Sequence, residues 1–157
     1  MKTVILTFCV IFSFTATAWA RLGETGDQIV ARYGQPLSEI NQKAEGAKVP
    51  LVFLTFQKNG FEIQVSLSDG ISSAESFQKL DGNALNTGEI RTLLALNSQG
   101  FEWEAPQTIE GQRRWLRDDA ALATVTGGRI FYVESKDLLS KEAMARKLSH
   151  APSLEGF

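Results

Sequence analysis

The sequence predicts an α+β fold, with helices packed on one face of an antiparallel sheet. Three observations predict it. Two segments open with similar helix caps, Thr25-Gly26-Asp27 and Thr87-Gly88-Glu89. Asn59-Gly60, Asp69-Gly70 and Gly127-Gly128 are the dipeptides of tight hairpins. From Phe61 to Ser68 apolar and polar residues alternate without exception, the period of a strand with one wet face.

The chain begins Met1-Lys2, continues with an apolar run from Val4 to Phe14, and reaches Ala18-Trp19-Ala20. A charged start, a short apolar stretch and small residues at a cleavage site make residues 1–20 a signal peptide. The apolar stretch is shorter than the roughly 20 residues of a membrane-spanning helix, so no permanent anchor is expected. Cleavage after Ala20 leaves Arg21–Phe157, 137 residues. The protein is expected to be exported, to a periplasm or to the outside. Cys9, the one cysteine, falls inside the signal. The mature chain must therefore rest on its core rather than on disulfides, which fits a bacterial exported protein.

Thr25 and Gln28 have the spacing of a capping box, and Asp27 lies in the first turn. Ile29, Val30 and Tyr33 share a face, and Gly34 and Pro36 stop the helix, which spans Gly26 to Tyr33. Ser38 to Lys48 is polar and reads as a loop. Leu51 to Gln57 is almost wholly apolar, as a buried strand would be. Phe61 to Ser68 is the next strand. Ile71 to Leu80 has spacing that also suits a helix, but the two hairpin turns before it favour a third strand. Thr87 caps a second helix carrying Ile90, Leu93 and Leu94. Residues 101–104, 113–117, 120–126 and 129–134 read as four further strands. Ser135 opens a last helix, about 136–148, supported by Asp137–Lys141 and Glu142–Arg146 pairs. The single α+β domain thus covers 21–148, and 149–157 is a flexible tail. The two caps stand 62 positions apart and the turns at 69 and 127 stand 58 apart. A duplicated helix-plus-hairpin unit and chance recurrence of common caps both account for that spacing.

Sixteen basic and 18 acidic residues give a net charge of −2. Loss of Lys2 with the signal leaves 15 against 18, or −3. That balance argues against nucleic-acid binding, which needs a basic footprint. His150 is the sole histidine and lies in the tail. Neither a typical zinc site nor a Ser-His or Cys-His nucleophile can be assembled, and no phosphate-binding or nucleophile-elbow motif is present. No catalytic residue, metal ligand or cofactor is therefore expected.

Two clusters remain. Glu102 and Glu104 point the same way from one strand, and Asp118 and Asp119 are adjacent. Paired carboxylates of this kind serve acid–base chemistry or hold a hard cation, or simply line a solvated face. Trp103, Arg113, Trp115 and Arg117 form the second cluster. Arg and Trp dominate interface hot spots, so these four are the candidate interaction surface. Alternation puts Arg113, Trp115 and Arg117 on one face and Arg114 with Leu116 on the other. The alternative makes Trp115 core, with the arginine stems covering apolar edges.

Gly23-x-Thr25, followed by Ile29, Tyr33 and Gly34-Gln35-Pro36, resembles the opening of the SmpA/OmlA-like envelope domain family. That family includes a small lipoprotein of the outer-membrane barrel-assembly machinery and the secreted β-lactamase inhibitor protein. The resemblance covers about fifteen residues. It implies helices on an antiparallel sheet and a binding module. The chain departs from the family in having neither a lipoprotein cysteine nor any cysteine after the signal, so the resemblance implies no anchor. The expected function is a non-enzymatic exported domain that binds another envelope or secreted protein. The rivals are a small carboxylate-dependent hydrolase and a structural envelope protein.

Overall fold

Eight strands pair into one antiparallel sheet in the computed structural model, which describes residues 22–42 and 51–138. Helix α1 (Gly26–Tyr33) precedes β1 (Ser38–Gln42), β2 (Leu51–Lys58), β3 (Phe61–Ser68) and β4 (Ile71–Lys79). Helix α2 (Thr87–Leu96) precedes β5 (Gln107–Ile109), β6 (Gln112–Leu116), β7 (Leu122–Thr126) and β8 (Ile130–Glu134). The sheet order is β1-β2-β3-β4-β8-β7-β6-β5. Each helix is followed by a four-stranded meander, and the last strands of the two meanders pair at the centre.

Turn chemistry sets this path. Asn59-Gly60, Asp69-Gly70, Glu110-Gly111 and Gly127-Gly128 each place two successive residues at positive φ. That conformation matches the right-handed twist of the strands it joins. Glu110 is the unusual member, because a longer acidic side chain stands where Asn or Asp is favoured.

The registers line up side chains into rows across the sheet. Leu54, Val65, Glu75, Val133, Ala123 and Trp115 form one row. Phe56, Ile63, Phe77, Phe131, Val125 and Arg113 form the next. The apolar members of these rows, with Ile29 of α1 and Ile90 and Leu93 of α2, are the core. Phe77 and Phe131 meet edge-on at its centre, 6.1 Å apart. An irregularity between Ser66 and Leu67 leaves Ser73 as an extra residue in β4, so Ser72 and Glu75 turn to the same side.

Both helices are closed by reciprocal caps. Gln28 N–H donates to the Thr25 hydroxyl, and Thr25 N–H donates to the Gln28 side chain. Gly34 ends α1 at φ 93° and donates to the Val30 carbonyl. In α2 the cap is Asn86, not Thr87: Glu89 N–H donates to Asn86 Oδ1 at 2.9 Å, and Asn86 N–H to Glu89 Oε2 at 2.8 Å.

The architecture corrects the α+β expectation. The sheet dominates, and the two described helices have only 8 and 10 residues. The polar segment read as a loop supplies β1, which pairs Ser38 to Gln42 with β2. Residues 101–104 do not form a strand, since Trp103 makes only an isolated bridge to Arg117. The pairing edge of β6 goes instead to Gln107–Ile109. The predicted signal peptide, tail and all but the start of the last helix lie outside the described residues. Eight strands span about 34 Å at their usual spacing, whereas two helices side by side cover about 20 Å. Among the described residues, α1 and α2 therefore roof only part of the core face.

Candidate functional site

Strand β6 alternates as expected, but its tryptophan faces inward. Trp115 is 6% exposed, stands opposite Ala123 and belongs to the core. Arg117 is 2% exposed. Its Nε and Nη2 donate to the two oxygens of Asp119, each at 2.7 Å. Nη1 donates to the Asn97 carbonyl at the end of α2, and Nη2 also to Gln99 Oε1 at 3.0 Å. The guanidinium lies 5.4 Å from the ring centres of Phe101 and Trp103. Trp103 in turn donates its indole N–H to the Leu94 carbonyl at 2.8 Å. A buried charge needs such partners, and the bidentate pair holds the Asp119 carboxyl below its usual pKa.

The four residues form two pairs: Trp103 and Arg117 join the end of α2 to the β6–β7 connection, and Arg113 lies against Trp115. Arg113 alone is exposed, 5.2 Å from the Trp115 ring centre. Of the expected interaction surface, Trp115 and Arg117 are buried and Trp103 is half-buried. Alternation settled which residues share a side, and the position of α2 decided that this side is the inner one.

The carboxylates do not share a buried pocket. Glu102 and Glu104 are exposed, Asp118 is exposed, and Asp119 is committed to Arg117. Glu104 borders a hollow of about 200 Å³ with Arg114 and Leu116, and Glu102 does not line it. Among the described residues, no three His, Cys, Asp or Glu side chains gather as metal ligands do.

One buried acidic group escaped the sequence reading. Glu75 is fully buried in the row beside Phe77. Its Oε2 accepts from the Tyr33 hydroxyl at 3.0 Å and its Oε1 from Ser72 at 3.4 Å. Burial, then the Glu75 charge and hydrogen bond, push the Tyr33 phenol above its ordinary pKa. The signal was available: Phe77 is apolar, and two positions before it the same face must receive Glu75.

The other side of the sheet is covered by neither α1 nor α2. By register it carries Ile40 and Phe53 toward one edge, Ile130 and Tyr132 near the middle, and Arg114, Leu116 and Ile109 toward the other. Ile40, Leu116 and Ile130 are 52%, 42% and 37% exposed. Gln64, Gln78 and Thr126 are exposed polar residues on the same side. The outer strands β1 and β5 are exposed along their whole length. No helix among the described residues is long and apolar enough to cross a membrane.

Comparison with known proteins leaves the site's geometry to speak for itself. No family model matches the chain, and no curated protein matches it. Among solved structures it is similar to a cysteine-rich secretory protein (SAV1118) from Staphylococcus aureus, at 12% identity and a TM-score of 0.42. The similarity covers 76% of this chain and spans less than half of that one, 46%.

Proposed function

We propose that this protein is an exported, non-enzymatic domain that binds another envelope or secreted protein through the sheet face opposite α1 and α2. The observation that carries the reading is the exposure of Ile40, Leu116 and Ile130, set among polar side chains, on the side of the sheet that faces away from α1 and α2. Ile130 and Leu116 stand two strands apart, on β8 and β6, and exposed apolar residues among polar ones mark interaction surfaces. Arg114 and Tyr132 on the same face add residue types that anchor interfaces. The charged start, apolar run and Ala-x-Ala ending of residues 1–20 support export. The resemblance of residues 23–36 to the SmpA/OmlA-like family supports a binding module.

A photo-crosslinking amino acid placed at Leu116 or Ile130 tests this in cells. The reading requires one recurrent protein adduct from these positions and none from Arg91 or Thr92 on α2. Adducts from α2 alone, or none from the sheet face, would overturn it.

A further inference from the structure

The gap between the two helices on the core face is a cavity of about 380 Å³. Phe61, Ile63 and Phe77 form its sheet wall, Leu93 and Leu96 close it from α2, and Tyr33 closes it from α1. Small-molecule sites measure roughly 300–1,000 Å³ and are apolar with a few placed polar groups. This cavity has that composition. Its polar lining is Lys58 and Asn59 at the β2–β3 turn, and Glu89 and Thr92 on α2.

The charges there do not cancel. Glu89 is occupied: one oxygen caps Asn86 N–H, and the other lies 3.2 Å from Lys79 Nζ. Those partners hold its carboxyl below the usual pKa, so it remains an anion already matched by a cation. Lys58 directs its ammonium to the Arg32 carbonyl, at the end of α1. That leaves two of its three donors, and among the described residues no carboxylate pairs with it. An apolar chamber with one cation in its lining is complementary to an apolar chain that ends in one anion.

We infer that this cavity binds a medium-chain amphiphile with a single carboxylate, its chain against Phe61, Ile63 and Phe77 and its head at Lys58. The volume, near the lower end of the range for ligand sites, accommodates one short chain and not a two-chain lipid. The site lies on the opposite side of the sheet from the proposed protein-binding face, so each can fail without the other.

Calorimetric titration of the purified protein with hexanoate, octanoate, decanoate, decan-1-ol and decyltrimethylammonium tests the inference. Affinity should rise about fourfold per methylene along the acids, equivalent to ~0.8 kcal/mol. Decanoate should bind at least tenfold more tightly than decanol, and decyltrimethylammonium more weakly than either. Lys58→Met should erase the preference for decanoate over decanol, and Lys58→Arg should restore it. Thr92→Phe, at an exposed helix position, should fill the opening and weaken all three ten-carbon ligands together. A second blocking variant, Leu96→Trp, gives the same readout from a neighbouring position. Absence of saturable decanoate binding, equal binding of the cationic ligand, or full binding by both blocked variants would overturn the inference.

Discussion

The Tyr33 hydroxyl donates to Glu75 Oε2 across 3.0 Å, tying the end of α1 to a fully buried carboxylate in the middle of the sheet. A polar link at this depth fixes where the helix sits, since any other placement would strip Glu75 of a partner. Tyr33→Phe removes the donor and keeps the ring. The expected loss is about 1–3 kcal/mol, the usual cost of leaving a buried polar group less satisfied. Urea unfolding at neutral pH measures it.

The same link gives the protein an alkaline limit. The Tyr33 pKa is raised in the folded state, so its contribution is complete below the ordinary tyrosine value of about 10 and is lost as pH rises above it. Unfolding free energy should fall from pH 10 upward, and Tyr33→Phe should flatten that fall. An unchanged slope in the variant would show that other groups set the limit.

Arg117 and Asp119 act with the opposite sign. The Asp119 pKa is lowered in the folded state. Its contribution is therefore present above the ordinary aspartate value of about 4 and is lost as pH falls below it. Asp119→Ala leaves the Arg117 guanidinium buried with fewer acceptors and should cost about 1–3 kcal/mol at neutral pH. A denaturant series between pH 2 and 7 should show a steeper acid loss in the parent than in the variant.

Trp115 reports whether the inner face is correctly assigned. It sits in the core opposite Ala123, so Trp115→Ala should cost about 3–5 kcal/mol. A midpoint that barely moves would place the residue outside the core.

Much of this fold was legible because its signals are local. The Thr25–Gln28 cap and the Gly34 stop set α1 from Gly26 to Tyr33, and Gly34 does take positive φ. No Cβ neighbour crowds that site, so the cost of Gly34→Val, at least ~1 kcal/mol, comes from the backbone alone. What local reasoning missed depends on distant partners. Ser38 to Gln42 has no apolar rhythm and is a strand only because β2 offers it a free edge. Phe101 and Trp103 alternate like strand residues. Trp103 instead spends its N–H on α2 and its ring on Arg117, and the ladder passes to Gln107–Ile109. The candidate site suffered in the same way. Spacing grouped Arg113, Trp115 and Arg117 correctly, but only the packing of α2 tells which side of the sheet is inside.

That side decides the functional account, and one binding measurement addresses it most directly. Leu116 and Ile130 are exposed on the face opposite α1 and α2, so Leu116→Asp with Ile130→Asp should leave the unfolding midpoint nearly unchanged. The partner recovered by crosslinking should then be titrated against parent and double variant. The account predicts a loss of affinity of at least tenfold with stability intact. Equal affinity of the two proteins for that partner would contradict it.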